Sequence, residues 1–197
     1  MQLIFDPKCS PSEYHAQGKN YAFPDLTGEP CPRCHSSLLR GHGFYLRWLI
    51  SVDFSDIIPI RRYICKSCGK TVSLLPSFAH PRYSYSILFI ITLLNLYYLE
   101  QLSVTETINS FNQSTIVDCS RQLLRQISKR FEQNLNRLTM GFTALFKCKE
   151  PAITAPLTEK RQRAREFLEH IKSFAPCDVS LKLFELSRTT FLTTRAT

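Results

Sequence analysis

The pattern of apolar and polar residues divides the chain into a β-rich first part and a helical second part. Residues 44–52 (FYLRWLISV) and 57–64 (IIPIRRYI) are rich in aromatic and β-branched side chains and flank a turn at 53–56, which predicts two strands. Pro59 lacks an amide hydrogen, so we expect its strand to be an edge strand or to be bulged. Residues 1–30 carry four prolines and predict an irregular arm that lies against these strands.

The second part of the chain begins with an apolar helix. Residues 86–99 (SILFIITLLNLYYL) are apolar on all sides, which predicts the central helix of a core within a helix over roughly 84–101. The run is shorter than the about twenty residues that a bilayer-spanning helix needs, so we expect no membrane span. Ser103 and Glu106 then form a capping box, which predicts a short helix that ends near Asn112.

A longer helix with two different faces follows this short helix. Position 125 lies about 200° around the helix axis from position 123, so a basic stripe faces away from an apolar one. Such a basic stripe is typical of a DNA-binding helix and equally of an ordinary solvated face. The apolar stripe is Leu123, Leu124, Ile127, Phe131, Leu135 and Leu138, and the basic stripe is Arg121, Arg125, Lys129 and Arg137.

The C-terminal part predicts two further helices. Pro151 and Pro156 mark a linker, and a basic amphipathic helix is expected over about 158–174. Pro176 is expected to stop it, and a short helix over about 178–186 follows.

The charge balance favours an anionic partner. The chain has 25 Lys and Arg against 16 Asp and Glu, a formal net charge of +9 and a pI of about 9.3. This excess raises the expectation of binding to nucleic acid or to another anionic surface.

Two cysteine pairs carry the strongest chemical signal. Cys31 and Cys34 form one Cys-x-x-Cys motif, and Cys65 and Cys68 form a second about thirty residues later. Two such pairs bring four thiolates to one tetrahedral ion, usually Zn²⁺, and four protein ligands leave no open position for catalysis. No signal peptide opens the chain, so we expect a reducing cytoplasm rather than a disulfide scaffold. The remaining thiols, expected to be buried or idle, are Cys9, Cys119, Cys148 and Cys177.

The order of the helices predicts a helix-turn-helix, because a short capped helix, a turn and a longer basic helix follow one another. In that motif the second helix enters the major groove of duplex DNA, and residues at its N-terminus contact base edges. Arg suits guanine and Gln suits adenine, whereas cations further along the helix meet phosphates. The expected base contacts are Ser120, Arg121, Gln122 and Arg125, and the expected phosphate contacts are Lys129 and Arg130.

We therefore expect an α+β protein, in which a small β zinc ribbon precedes a mainly α-helical bundle that contains the helix-turn-helix. The expected segments are an N-terminal arm (1–30), the zinc ribbon (31–82), the DNA-binding helices (83–150) and a C-terminal helical segment (151–197).

Three segments resemble a known family. Residues 61–83 (RRYICKSCGKTVSLLPSFAHPRY) resemble the second knuckle of the N-terminal zinc-ribbon module of bacterial insertion-sequence transposases. They are also similar to a stand-alone, transposase-like family of unknown function. Cys31-Pro-Arg-Cys34 matches the first knuckle, and residues 119–131 (CSRQLLRQISKRF) are similar to the recognition helix. Val72 departs from the usual aromatic or His, and the turn at 112–118 is longer than usual.

The resemblance implies a zinc-dependent DNA-binding protein of a mobile element, with duplex DNA as its partner and a recombinase or transposase as a further candidate partner. We expect no enzyme activity, because two-metal phosphodiester chemistry needs carboxylates on a sheet and the residues after Glu150 predict helices. A truncated, inactive transposase is one alternative. Another is a protein-interaction adaptor, although its aromatic residues would equally cover a small ribbon core. The oligomeric state stays open. The aromatic residues of the adaptor hypothesis are Phe44, Tyr45, Trp48 and Phe54.

Overall fold

The computed structural model describes residues 1–146, 153–187 and 190–192, and it confirms the predicted α+β class. Within these residues, a four-stranded mixed sheet occupies the N-terminal half, and five of the six α-helices follow it. The strands are β1 (Gln2–Phe5), β2 (Leu39–Ile50), β3 (Ser55–Cys65) and β4 (Thr71–Pro76), and the helices are α1 (Pro11–Gln17), α2 (Ile87–Tyr98), α3 (Val104–Ser114), α4 (Arg121–Phe146), α5 (Lys160–Ile171) and α6 (Pro176–Ser187).

The sheet has the strand order β1-β4-β3-β2. Strands β2 and β3 form the predicted antiparallel hairpin, and both are longer than the sequence pattern indicated. The turn closes where the Ser51 amide donates to the Phe54 carbonyl oxygen at 2.6 Å. A register shift between Gly41 and Phe44 marks a β-bulge in the half of β2 that leads to the cysteine-bearing end of the sheet.

The prediction that residues 1–30 form an irregular arm is wrong in two places. Strand β1 lies parallel to β4, with Gln2 opposite Ser73, and completes the sheet on one edge. Helix α1 begins at a capping box in which the Ser10 hydroxyl accepts from the Glu13 amide and Glu13 bonds back to Ser10. The prolines predicted irregular structure, but Pro11 occupies the first turn of α1, where its missing amide hydrogen has no intrahelical partner to lose.

Pro59 lies in a central strand, yet on one side it has no neighbouring strand. Strand β4 pairs with β3 only over Arg61–Ile64, so the earlier part of β3 has a locally free side. Helix α1 covers that side, because the Tyr14 hydroxyl donates to the Pro59 carbonyl oxygen at 2.9 Å. The proline therefore breaks no ladder bond, and the expected edge character of its strand is local.

The helices share one large apolar core. Helix α2 contacts α3, α4, α5 and α6, as its apolar sequence predicted, but one side is not buried, because Leu88 is 41% exposed. The predicted apolar stripe of α4 is confirmed as buried or partly buried. Helices α5 and α6 add residues to the same core, and α6 also contacts β1. Buried residues from α5 and α6 are Ala164, Phe167, Leu168, Ile171, Val179 and Leu183.

The C-terminal helices differ from the prediction at their ends. Pro176 was expected to stop a helix, but it is the first residue of α6, a position that proline favours because its φ angle is already helical. The predicted linker residue Pro151 and the thiol of Cys148 lie outside the described residues.

No helix among residues 1–146 and 153–187 combines the length and the apolar character that crossing a membrane requires.

The sheet and the helices are joined by hydrogen bonds beside the turn of the β2–β3 hairpin. The Ile50 amide donates to the Ser84 carbonyl oxygen, and the Ser86 amide donates to the Ile50 carbonyl oxygen, both at 2.7 Å. Arg47 turns inward and donates from Nη2 to the carbonyl oxygens of His80 and Tyr83. This cluster fixes the chain that leads from β4 into α2.

We expect Arg47→Met to lower the free energy of unfolding by about 1–3 kcal/mol, because the two carbonyl oxygens lose a charged donor that is itself half-buried. Urea denaturation followed by circular dichroism measures this change. Arg40→Met is the matched control on the same strand, since Arg40 is exposed, and its effect should stay within about 0.5 kcal/mol. Equal losses in the two variants would contradict the assignment.

Candidate metal centre and basic helix

The first cysteine pair lies in a tight knuckle. The His35 amide donates to the Cys31 carbonyl oxygen at 2.9 Å, and the Cys31 amide donates to the Ser36 carbonyl oxygen at 2.9 Å. Residue His35 has a φ of 59°, in the left-handed region. The chain therefore reverses directly after Cys34 and points both sulfurs to one side.

The second pair repeats the same geometry. The Gly69 amide donates to the Cys65 carbonyl oxygen, and the Cys65 amide donates to the Lys70 carbonyl oxygen, both at 2.9 Å. Gly69 has a φ of 68° and corresponds to His35 of the first knuckle. Glycine adopts this angle without strain, whereas a residue with a Cβ atom is less stable there by roughly 1–2 kcal/mol. The two knuckles thus share one hydrogen-bond pattern.

The four sulfurs converge at the distances that a tetrahedral ion requires. Sγ of Cys31 lies 3.8 Å from Sγ of Cys68, and Sγ of Cys34 lies 3.6 Å from Sγ of Cys65. All four atoms lie within 4.8 Å of one another. A tetrahedron with metal–sulfur bonds of about 2.3 Å has edges of about 3.8 Å. The cluster can therefore hold a metal ion, and a set of four thiolates suits soft or borderline metals.

Hydrogen bonds from backbone amides lower the pKa of two of the four thiols. The amides of Arg33 and Cys34 point at the Cys31 sulfur and lower its pKa to about 7. The Cys68 amide lowers the pKa of Cys65 in the same way. Because a metal binds the thiolate form, these donors reduce the number of protons that the ion must displace.

The end of the sheet contributes to a small apolar cluster that packs against the cysteine site. Cys65 ends β3, and Leu39 begins β2 opposite it. Both side chains are buried in a small apolar cluster with Cys31, whereas Cys34 is exposed at the rim. Val72, which differs from the aromatic or His residue usual in the transposase modules, is fully buried in this cluster and fills an apolar position there. The remaining buried members of the cluster are Tyr63 and Leu74.

The start of α4 is fixed by its own side chains. Ser120 precedes the helix, and its hydroxyl accepts from the Leu123 amide at 3.1 Å, so this predicted base contact already caps the helix. Nη2 of Arg121 donates to Oγ1 of Thr105 at 3.2 Å and ties α4 to α3. The turn between α3 and α4 is long, as predicted, and it is closed by a bond from the Cys119 amide to Oδ1 of Asn112.

The other predicted DNA contacts lie on the surface. Gln122, Arg125 and Lys129 are exposed, and Arg130 is exposed with its guanidinium 5.2 Å above the Tyr83 ring. Gln122 is the one amide that the sequence pattern indicated, and three further exposed amides lie along the same helix at Gln126, Gln133 and Asn136. The exposed outward face of α4, named here the α4 face, consists of Gln122, Arg125, Gln126, Lys129, Gln133 and Asn136.

The α4 face contains no carboxylate. The one acidic residue in the helix, Glu132, is half-buried and accepts a hydrogen bond from the Tyr98 hydroxyl at 2.8 Å. A helix face that presents amide and cationic side chains and no carboxylate suits the edges of bases and the phosphates between them.

The four aromatic residues of the adaptor hypothesis do not form one patch. Tyr45 and Phe54 pack on the inner face of the hairpin, whereas Phe44 and Trp48 lie on the outer face. Phe44 is half-buried against Phe23, and Trp48 is 48% exposed. Sequence reasoning missed two exposed apolar neighbours of Trp48, because their exposure depends on which face the helices cover. These are Leu46, 63% exposed, and Ile57, 38% exposed.

We expect one metal ion per chain in the purified protein and its loss in Cys65→Ser, because three thiolates hold an ion less tightly than four. Inductively coupled plasma mass spectrometry measures the metal, and thermal melting measures the fold. Cys9→Ser is the matched control, since this half-buried thiol lies outside the cluster. A Cys65→Ser protein that kept both its metal and its melting temperature would rule out the four-thiolate site.

Comparison with known families matches residues 31–116 to a domain of unknown function, DUF6431. The matched segment contains both cysteine pairs, strands β2 to β4 and helices α2 and α3, and it ends before α4. It covers less than half of the chain, which is similar to this family over that segment. No curated protein and no solved structure matches the chain.

Proposed function

We propose that this protein is a zinc-dependent, non-catalytic DNA-binding protein of a mobile genetic element, and that α4 binds a specific duplex sequence. The observation that carries the proposal is the α4 face, where cations and amides lie together without a carboxylate. The net charge of +9 supplies the general attraction to a polyanion.

The contacts between α3 and α4 support a helix-turn-helix. The capping box at Ser103 fixes the start of α3, and the bond from Arg121 to Thr105 holds the starts of the two helices together. With Ser120 and Arg121 engaged within the protein, Gln122 and Arg125 become the proposed base-reading residues. Their side chains match adenine and guanine in the major groove.

Phosphate contacts are assigned to the following turns of α4. Lys129 lies one helical turn beyond Arg125, and Arg130 is oriented by the ring of Tyr83. Tyr83 belongs to the segment whose backbone accepts from Arg47. The sheet thus orients one proposed phosphate contact, and the remainder of α4 provides the others.

Zinc is the ion proposed for the four-cysteine cluster. Its role is structural, since four thiolates fill a tetrahedral coordination sphere and leave no open position. The cytoplasm is the proposed compartment, because a reducing environment keeps these thiols available to the metal. The resemblance to transposase zinc-ribbon modules supports the mobile-element origin, and a recombinase acting on the same DNA is the proposed protein partner.

We expect Arg125→Ala to weaken binding to the cognate DNA by about 1–3 kcal/mol and to relax the choice of base at one position, because a bidentate contact is lost. Gel-shift titration against DNA that flanks the gene, with each base varied in turn, measures both effects. Lys19→Ala is the matched control, since it removes one exposed positive charge far from α4 in sequence. Equal weakening across all DNA sequences would contradict the base-reading role.

We expect Lys129→Ala to weaken binding to cognate and unrelated DNA alike, because a phosphate contact carries no sequence information. The slope of log affinity against log salt concentration should become shallower by about one unit. Fluorescence anisotropy at several salt concentrations measures this slope. An unchanged slope would remove Lys129 from the interface.

A further inference from the structure

Strand β2 is the edge of the sheet, and part of its outer side is open. The Ile50 backbone bonds to Ser84 and Ser86, on the side away from β3. In an antiparallel ladder, every second residue points its backbone groups to the same side. Phe44, Leu46 and Trp48 therefore also direct their amides and carbonyls away from β3.

Pro59 gives an independent check of this alternation. It lies opposite Leu46, and its carbonyl oxygen accepts from Tyr14 on the far side of β3. Pro59 and Leu46 thus form a pair without mutual hydrogen bonds, and the Leu46 backbone must point outward. Among residues 1–146 and 153–187, no strand pairs with this side of β2 between Phe44 and Trp48.

The side chains along this open stretch are apolar. Leu46 and Trp48 are 63% and 48% exposed on the outer face, with Ile57 of β3 beside Trp48. The one charged residue within the stretch, Arg47, turns inward to the carbonyls of His80 and Tyr83. Proteins often protect an edge strand with an exposed charge, a proline or a covering strand, and among the described residues the stretch from Phe44 to Trp48 has none of these three.

Both ends of the stretch are defined. Tyr85 lies beside Ile50 and closes one end, and the bulge between Gly41 and Phe44 bends the strand away at the other. Five residues, Phe44 to Trp48, remain available for pairing with another strand.

We propose that a second copy of this chain occupies the open stretch, with the two β2 strands antiparallel about a two-fold axis at Leu46. In this register Leu46 faces Leu46 of the second copy, and Phe44 faces Trp48 at both ends. The pattern is therefore complementary to itself, as a two-fold interface requires. Cross-strand aromatic and aliphatic pairs of this kind stabilise antiparallel sheets.

The charges on either side of the stretch favour the same occupant. Arg40 and His42 are exposed before it, and Asp53 and Asp56 are exposed after it. Antiparallel pairing brings the basic end of one copy toward the acidic end of the other, whereas parallel pairing would oppose like charges. The chain is strongly basic overall, so this local complementarity has to offset a general repulsion.

The test is the oligomeric state of the wild type and of Leu46→Lys, measured by analytical ultracentrifugation over a range of micromolar concentrations. We expect a wild-type dimer, and we expect Leu46→Lys to raise the dimer dissociation constant at least about tenfold, because two lysines would meet at the axis. Leu157→Lys is the matched control, since Leu157 is 68% exposed outside the sheet and receives the same change.

A second measurement uses the single tryptophan of the chain, Trp48. Its fluorescence should shift to longer wavelength on dilution of the wild type, because the dimer shields the indole from water. Circular dichroism and metal content of Leu46→Lys should match the wild type. The proposal stands apart from DNA binding, which is measured separately on a DNA fragment with one site.

Three results would overturn the proposal. They are a wild-type protein that stays monomeric throughout the range, a Leu46→Lys protein that dimerises as tightly as the wild type, and a dimer that Leu157→Lys disrupts instead. A wild-type protein that is monomeric and binds a different protein, with that binding lost in Leu46→Lys, would also reject the dimer. It would assign the open stretch of β2 to that other partner.

Discussion

The convergence of four sulfurs from two knuckles is the constraint on which the β part of the molecule depends. Beneath them lies a small cluster, in which Leu39, Tyr63, Val72 and Leu74 are the buried residues other than cysteine. A cluster of that size buries too little apolar surface to offset the conformational entropy of ordering the knuckles. Bonds from thiolates to an ion supply the missing free energy in small metal-binding modules. The hairpin that bears Cys65 is then available to anchor the rest of the sheet.

Local signals were sufficient to predict several parts of the structure. The Cys-x-x-Cys spacing predicted the cluster, the Ser103 capping box predicted the start of α3, and the apolar stripe predicted the buried face of α4. Each of these signals lies within a few residues of the structure that it specifies. Strand β1 carries no such signal, because its four residues pair with a strand about seventy residues later. The Ser10 capping box was a local signal, but the surrounding prolines masked it.

The orientation of β2 could not be predicted from its sequence. Phe44 to Ile50 is apolar at nearly every position, so alternation does not indicate which face is buried. Contacts with residues distant in sequence determine which face of β2 is buried. Arg47 finds carbonyl acceptors in the segment between β4 and α2, which places the even-numbered side chains on the outer face. A charged side chain therefore points into the protein and a tryptophan points out, the reverse of what composition suggests.

The separation of the two candidate sites limits how one can affect the other. Strand β3 has 11 residues, and its steps of about 3.3 Å between consecutive residues place the cysteine cluster at one end about 33 Å from the hairpin turn at the other. The hydrogen bonds between Ile50 and the start of α2 lie near that turn. The helices have their own core, and the sheet contacts it through the segment that contains Tyr83, through the bond from the Ile116 amide to the Val52 carbonyl oxygen, and through β1 against α6. Among the proposed DNA contacts, Arg130 packs on the ring of Tyr83, in the segment that joins the sheet to α2, whereas Arg125 and Gln122 lie on a helix that the helical core holds in place.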